Sequence, residues 1–402
     1  MDLLEAFEEV MRLDERGEVD AALACLDKLQ DRLPHAAPYL KFAGQLYQRL
    51  GADRQSLILL QRALALAPDD PEILLSLGYH YVDNGRTDLA LGFIQRHLAL
   101  KPDSPEGQIY LGRTLDWVGR LEEAETALMD AIAHFPDEPE TNLFLGRVRL
   151  RQGKLDAAKQ AFTAVKVRSP ENVLAEIGLR RAAALVQPKP ARASEPANTP
   201  TNTIVCVKAG TKYGPVYVNR LAGMARRHTT RPLRVVCFTD DARGLDADIE
   251  AQPLPVDGLI GWWNKVALFG ETLPGVTGRV LYLDLDVVIT GSLDPLLDHA
   301  GAFVIMDNGY VPGFNSSVML FDVGAQPHVW QQFSVAETER IDGDQDWMAL
   351  TIPDAELWPD AWCVTYRLRA AEGPPRDTKV VVFSGRPNPD EYPAAWIRDY
   401  WY

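Results

Sequence analysis

The first half of the sequence repeats every 34 residues, and this periodicity constrains the fold more than any other feature. Glycine recurs at positions 44, 78, 112 and 146, and proline at positions 34, 68, 102, 136 and 170. A third register of small residues keeps the same step at Ala22, Ser56, Ala90, Ala124 and Ala158. Because the three registers agree, we expect a repeat array and not an ordinary helical bundle.

The spacing within each repeat predicts a pair of antiparallel helices. In the third repeat, the small residues Gly78 and Ala90 allow two helices to approach closely. Ile94 and Leu98 lie on one helical apolar stripe, and Pro102 then ends the second helix. Stacked helix pairs of this kind form a solenoid.

The pattern resembles the tetratricopeptide repeat. It divides into five units, at residues 3–36, 37–70, 71–104, 105–138 and 139–172, and a run from Glu171 to Val186 is expected to form a capping helix. An all-α solenoid is therefore predicted for residues 1–186. Concave solenoid surfaces bind other chains, so we expect a protein or peptide partner.

A proline-rich segment at residues 187–202 predicts a linker, and the pattern changes beyond it. Short β-branched runs alternate with helical stretches over residues 203–402, which predicts an α/β domain with a largely parallel sheet. Strands are expected at 204–207, 233–238, 279–283, 303–306, 317–321 and 380–383. The main helices are expected at 217–227 and 265–272.

The composition narrows the range of partners and compartments. The 402 residues include 56 acidic and 41 basic side chains, for a net charge of −15, which argues against nucleic acid as a partner. The four cysteines are widely spaced, and residues 1–10 carry four acidic side chains where a signal peptide would be basic. No apolar stretch is long enough for a membrane span. We therefore expect a cytoplasmic protein.

The strongest chemical signal is a pair of aspartates at the end of an apolar run. Asp284 and Asp286 follow the predicted strand 279–283, and ligands of open α/β sheets bind at such strand ends. Two carboxylates one residue apart suit Mg²⁺ or Mn²⁺, which bind phosphate oxygens. Neither a dinucleotide-binding GxGxxG sequence nor a Walker phosphate loop is present.

The aspartate pair is followed by "FNSSVMLFD", "DQDW" and "FSGRPNP" in that order. With these motifs, residues 203–402 resemble glycosyltransferases of the GT-A fold, in particular family 8 and glycogenin. The resemblance implies a Rossmann-like α/β domain that transfers a hexose from a nucleotide diphosphate sugar, with a uridine one favoured, to an acceptor hydroxyl. It further implies a metal-dependent reaction with retention of anomeric configuration, and, with the solenoid, a protein acceptor.

The resemblance also implies roles for particular residues. Asp284 and Asp286 would bind the metal ion, and Asp344, Gln345 and Asp346 would lie near the donor sugar as catalytic residues. Ser384 stands where these enzymes carry a metal-binding histidine. The donor-binding residues would be Lys208, Gly210, Thr211, Tyr213, Asp240, Asp241, Lys265, Leu285, Asn315, Ser316, Gly385 and Arg386.

Several alternatives remain open from the sequence. Tyr213 could instead pack on a helix, and Asp240 and Asp241 could cap one. Ser384 favours a scaffold that has lost catalysis and binds protein partners. The strand "LYLDLDVVI" also fits a haloacid-dehalogenase-type phosphatase, in which the first aspartate is the nucleophile. The aromatic tail "AAWIRDYWY" is expected to pack on the domain, with acceptor or homodimer contacts as the alternative.

Overall fold

The computed structural model describes residues 3–84, 86–136, 138–186, 202–385, 388–391 and 394–402. The chain forms two compact units, Met1–Asp137 and Glu138–Tyr402. Apart from Asn202, the predicted linker at 187–202 lies outside the described residues, so this boundary stays a prediction. Arg386 also lies outside the described residues.

Helix pairs follow one another through the first unit. Consecutive helices of a pair pack together, as expected for repeats of 34 residues. The helices are α1 (Leu3–Glu15), α2 (Val19–Gln30), α3 (Ala37–Arg49), α4 (Asp53–Leu66), α5 (Pro71–Asp83), α6 (Thr87–Leu100), α7 (Pro105–Trp117) and α8 (Leu121–His134).

The glycine register marks the closest approach of the two helices in a repeat. A Cβ atom at Gly78 would lie 2.7 Å from Ile94 Cγ1, and one at Gly112 would lie 2.5 Å from Leu128 Cγ. Both distances are too short for a side chain to fit. The small residues of the third register, at positions 22, 56, 90, 124 and 158, are completely buried. Close packing within each helix pair therefore explains the repeat pattern.

The second unit begins with three further helices. Helices α9 (Pro139–Arg151) and α10 (Leu155–Arg168) form a fifth pair, and α11 (Val173–Ala184) follows at the predicted capping position. Asn172 begins α11, because its side chain accepts a hydrogen bond from the Ala175 N–H. The ring of Phe162 lies against both Gly146 of α9 and Gly178 of α11.

An α/β region follows these helices, as predicted. Its first strands and helices are β1 (Thr203–Lys208), α12 (Pro215–Arg227), β2 (Arg234–Thr239), β3 (Glu250–Gln252), a 3₁₀ helix (Gly261–Phe269), β4 (Arg279–Leu283), β5 (Val287–Ile289), α13 (Asp294–Leu297), β6 (Phe303–Asp307) and β7 (Phe314–Asp322). The remaining elements are α14 (His328–Gln331), α15 (Glu337–Arg340), α16 (Asp344–Thr351), β8 (Glu356–Leu357), β9 (Cys363–Thr365), a π-helical turn (Tyr366–Ala370), β10 (Val380–Val382) and α17 (Ala395–Tyr400).

The main sheet is mixed and has the strand order β3-β2-β1-β4-β7-β6-β8. Strands β3, β2, β1 and β4 are parallel to one another, whereas β7 is antiparallel to both β4 and β6. A smaller sheet has the order β5-β10-β9. The start of β7 therefore lies at the same sheet edge as the end of β4, and residues distant in sequence meet there.

The six predicted strands are present, and the short strands β3, β5, β8 and β9 were not expected. The predicted helix at 265–272 is wrong in type and extent, because the chain forms a 3₁₀ helix at Gly261–Phe269. All residues from Trp263 to Phe269 are buried, so no amphipathic α-helical pattern operates there. The side-chain amide of Asn264 donates to the carbonyl oxygens of Leu259 and Gly261 at 3.0 Å each.

The aromatic tail packs on α12. Trp401 contacts Tyr217 with ring centres 5.3 Å apart, and the Arg220 guanidinium lies 4.0 Å from the Trp401 ring centre. These contacts agree with the expected packing role. Within the part of the chain that the structure describes, no helix has the length and apolar character needed to cross a bilayer.

Candidate functional site

A pocket of about 430 Å³ opens at the edge of the main sheet where β1 and β4 end and β7 begins. The first turn of α16, the start of the 3₁₀ helix and the segment after β10 complete its wall. The predicted residues that line it are Tyr213, Lys265, Asp284, Leu285, Asp286, Asn315, Ser316, Asp344, Gln345, Ser384 and Gly385. Residues from four separate motifs thus meet at one place.

The carboxylate of Asp284 is held by two donors. Lys265 Nζ lies 2.8 Å from Asp284 Oδ2, and the Tyr282 hydroxyl donates to Asp284 Oδ1 at 2.7 Å. The same ammonium donates to Ser316 Oγ at 3.0 Å and lies 3.6 Å from Asp344. Burial alone would lower the pKa of Lys265, but Asp284 and Asp344 raise it above its ordinary value. Lys265 is therefore a charged group fixed between two carboxylates.

The carboxylate of Asp286 accepts one side-chain hydrogen bond, whereas that of Asp284 accepts two. The Tyr213 hydroxyl donates to Asp286 Oδ2 at 2.7 Å. Burial and the neighbouring Asp284 nevertheless raise the pKa of Asp286 to about 6. The two aspartates thus form a partly buried acidic pair, whose charge Lys265 and Lys212 partly offset.

Ser384 is joined to the start of β7. The Asn315 side-chain amide donates to Ser384 Oγ at 3.2 Å, and Asn315 Oδ1 accepts from the Ser317 N–H at 2.9 Å. The second bond fixes the Asn315 side chain in place. Ser384 therefore adds a neutral hydroxyl to the pocket where the resembled enzymes have an imidazole.

The acidic motif at the start of α16 divides between two cavities. Asp344 and Gln345 face the main pocket, whereas Asp346 lines a smaller cavity of about 170 Å³ beside α11. Burial raises the pKa of Asp344, and Lys265 and Ser316 act in the opposite direction. Burial, with Asp342 and Asp344, raises the pKa of Asp346 to about 6.

Arg386 lies outside the described residues, and the structure places five other predicted donor-binding residues outside the pocket lining: Lys208, Gly210, Thr211, Asp240 and Asp241. Lys208 Nζ donates to the Asp241 carbonyl oxygen at 3.1 Å, and the Gly210 N–H donates to Asp240 Oδ2 at 2.8 Å. The Arg243 side chain holds the pKa of Asp241 below its ordinary value. Thr211 is exposed and does not line the pocket. Nucleotide contacts by this group of residues stay a prediction.

Ten lining residues were not predicted: Val207, Ala209, Lys212, Gly261, Trp262, Tyr282, Ser317, Asp342, Gly343 and Phe383. Tyr282 could have been found, because side chains two apart on a strand share a face and Asp284 comes two residues later. Trp262 lies at the start of the 3₁₀ helix, and no sequence pattern indicates that its side chain is half exposed at the pocket.

The carboxylates of the pocket could hold a divalent cation only in part. Among the described residues, no three acidic, histidine or cysteine side chains gather closely enough to hold a metal ion unaided. Asp284 and Asp286 nevertheless place hard oxygen donors in the pocket, and burial, followed by the charge of Asp284, raises the pKa of Asp286. Mg²⁺ often completes such a pair with water and substrate phosphates, so the residues fit a cation that is shared with a ligand.

Comparison with known protein families identifies repeats in the helical part. The tetratricopeptide repeat family model matches residues 43–105 and 111–173, so the N-terminal region contains these repeats. No curated protein matches the sequence.

Among solved structures, the chain is similar to MamA, with 23% identity over 36% of this chain and 80% of that one and a TM-score of 0.34. It is also similar to TTC0263, a thermophilic tetratricopeptide protein of Thermus thermophilus, with 20% identity over 45% and 98% of the two chains and a TM-score of 0.39. A third similar structure is YrrB, described as a repeat protein with an unusual peptide-binding site, with 21% identity over 43% and 90% and a TM-score of 0.36.

Proposed function

We propose that the α/β region is a GT-A-type glycosyltransferase domain that transfers a hexose from a nucleotide diphosphate sugar to an acceptor hydroxyl. The observation that carries this proposal is the pocket at the sheet edge. It brings the Asp284 and Asp286 pair together with Asn315 and Asp344, which come from motifs far apart in sequence. Its volume of about 430 Å³ falls in the range of small-molecule sites.

A cation shared with the diphosphate would be held by Asp284 and Asp286. The chemistry that bound Mn²⁺ or Mg²⁺ supplies there is neutralisation of the charge that builds on the leaving diphosphate. Lys265 fixes Asp284, and Tyr213 fixes Asp286, so both carboxylates are preorganised before a ligand arrives. In this arrangement Lys265 does not contact the diphosphate; it orients Asp284, which would hold the cation.

The start of α16 would face the transferred sugar. Asp344 is buried at the pocket wall, and its Oδ2 atom accepts no hydrogen bond from the described residues but lies 3.6 Å from Lys265 Nζ. A carboxylate or amide oxygen beside the anomeric carbon favours the positive charge that develops on the ring. Asp344 and Gln345 are therefore proposed to stabilise that charge, and Asp346 is proposed to support the helix from the opposite side.

The experiment is a thermal-shift screen of nucleotide diphosphate sugars with Mn²⁺, followed by an assay for released nucleoside diphosphate. We expect one donor to raise Tm and to be hydrolysed slowly. Asp286→Asn should abolish release, whereas Asp156→Asn, on the exposed face of α10, should leave it unchanged. Absence of any donor binding, or rapid Mg²⁺-dependent hydrolysis of an aryl phosphate, would contradict the proposal.

A second candidate function is a non-catalytic scaffold. It is favoured by the engagement of both Asp284 oxygens by Lys265 and Tyr282, and by the neutral Ser384. In that case the repeats bind a protein partner, and the pocket binds a nucleotide sugar or nothing. Titration calorimetry with donor and Mn²⁺ that shows binding, together with no hydrolysis over a day, would favour the scaffold.

We further propose that the repeats bind a protein or peptide that is the acceptor or that docks the enzyme. A solenoid held on the same chain as the transferase raises the effective concentration of such a partner. The observation that supports this part is the match to the repeat family over residues 43–105 and 111–173. Pull-down with an Asp286→Asn variant, in which turnover is blocked, tests whether an unmodified acceptor protein is retained.

A further inference from the structure

Helix α11 packs on two different parts of the second unit. Gly178 lies against Phe162 of α10, as a capping helix of the solenoid should. Ile177, which is completely buried, belongs instead to the apolar core that contains Phe314 of β7 and Met348 of α16. The cap of the repeat array is therefore also a core element of the α/β region.

Arg181 of α11 contacts the strand that carries Asn315 and Ser316. Its guanidinium lies 4.7 Å from the ring centre of Phe314, the residue directly before Asn315. The same side chain donates to the carbonyl oxygens of Pro353 and Ala355, at 3.3 and 3.4 Å. One partly buried arginine thus connects the start of β7 with the segment after α16.

Arg180 contacts the helix that carries Asp344 and Gln345. Its Nη1 atom donates to the Leu350 carbonyl oxygen at 3.0 Å, in the last turn of α16. Carbonyl groups in a last turn have no partner within their helix, and a cation there also interacts favourably with the helix dipole. Because α16 has only eight residues, its far end is one to two turns from the pocket.

Arg147 of α9 makes a third contact, with Asp307 at the end of β6. Its guanidinium forms an ion pair of 2.5 Å with Asp307, and the Arg147 side chain is 5% exposed. Asp307 ends β6 and is paired with Phe314 in the β6–β7 ladder. Three arginines, one on α9 and two on α11, therefore contact β6, β7, α16 and the segment after α16. Of these elements, β7 and α16 carry residues that line the pocket.

From these contacts we propose that Arg147, Arg180 and Arg181 are positioning residues for the pocket, so that the last repeat and its cap are part of the ligand-binding unit. They act through β7 and α16 and touch no ligand themselves. The identity of the ligand rests on the proposed function, whereas the mechanical support of β7 and α16 does not.

The test is amide hydrogen exchange by mass spectrometry on the full chain. Arg181→Met should speed exchange in 314–317 and 344–351 by about tenfold, because a charged donor and its contacts with Phe314, Pro353 and Ala355 are lost. Arg151→Met is the matched control, since this α9 arginine pairs at 3.3 Å with the exposed Asp360, which does not line the pocket. If Arg181→Met destabilises the whole chain, Arg180→Met, which removes a half-exposed side chain, is measured in its place.

Faster exchange confined to 173–184, with 314–317 and 344–351 unchanged, would overturn the proposal. The second readout is the Kd for uridine diphosphate with Mn²⁺. We expect it to rise about tenfold in Arg181→Met, to recover in part in Arg181→Lys, and to stay constant in Arg151→Met. If the wild-type chain does not bind uridine diphosphate, the nucleotide-sugar proposal fails, and hydrogen exchange alone decides the positioning role.

Discussion

The ammonium of Lys265 lies 2.8 Å from the carboxylate of Asp284, inside the wall of the pocket. The two side chains are 10% and 19% exposed, so water does little to screen or replace the interaction. Asp344 lies on the other side of the ammonium, at 3.6 Å. The Lys265 ammonium thereby links the 3₁₀ helix, which carries it, to Asp284 at the end of β4 and to Asp344 at the start of α16.

Replacing Lys265 by Met should destabilise the chain by about 3 to 5 kcal/mol, because a buried carboxylate then lacks its partner. Urea unfolding measures this loss. The double variant Lys265→Met/Asp284→Asn should recover a large part of it, since the unpaired charge is removed as well. Equal instability of the single and double variants would show that the ion pair is not the cause.

Asp346→Asn should stabilise the chain in a pH-dependent way. The folded-state pKa of Asp346 is about 6 and the ordinary value is 3.8, so the folded state binds this proton more tightly than the unfolded state. The wild type therefore loses stability as the pH rises from about 4 through 6. Above pH 6 the variant should gain roughly 2 to 3 kcal/mol, and below pH 4 nothing.

Thermal unfolding of Asp346→Asn at pH 4 and pH 8 checks this expectation. Asp156→Asn, whose side chain is 93% exposed, is the control and should show no such difference between the two pH values. A gain of the same size at both pH values would contradict the assigned ionisation.

Two glycines of the solenoid should respond in opposite ways to alanine. Gly112→Ala places a Cβ 2.5 Å from Leu128 Cγ and should cost about 1 to 3 kcal/mol through overpacking. Gly92 is exposed on α6 with nothing within 4 Å of a Cβ, so Gly92→Ala should stabilise by about 0.5 to 1 kcal/mol. Urea midpoints of the two variants measure the contrast, and equal shifts would disprove the packing explanation of the register.

The choice of truncation point should decide whether the α/β region remains soluble. Deletion of residues 1–137 keeps α9 to α11, and with them Ile177 and Arg181, so the fragment should stay monodisperse. Deletion of residues 1–186 exposes the core surface that Ile177 covers and leaves Asp307 without Arg147. Size-exclusion chromatography compares the two, and a well-behaved shorter fragment would contradict the expectation.

Much of the helical region could be predicted from sequence because its constraints are local and repeated. Gly78, Gly112 and the buried alanines impose the same close approach in successive pairs, so several independent positions carry one signal. The helix α11 lies where the cap was predicted, at 171–186. Its contacts with α16 were not foreseen, because Arg180 and Arg181 look like solvated helix charges until their partners are known.

Pocket residues could be predicted where polar side chains directly follow a strand, as Asp284 and Asp286 follow β4. The partners of these residues were less accessible to prediction. Lys265 was expected next to the donor phosphates, but its ammonium contacts Asp284, which is 19 positions away in sequence. Strands of three residues such as β5 and β9 carry too few positions for an alternating pattern to be distinguished from chance.

The ring of Phe162 lies between Gly146 and Gly178, and the opposite face of α11 is occupied by the core of the α/β region. The repeat array is therefore sealed at its carboxyl end, and a sixth pair has no free helix face on which to stack. Duplication or loss of repeats during evolution is expected only on the amino-terminal side. Related chains should thus differ in repeat number while the last pair and its cap are inherited together with the α/β region.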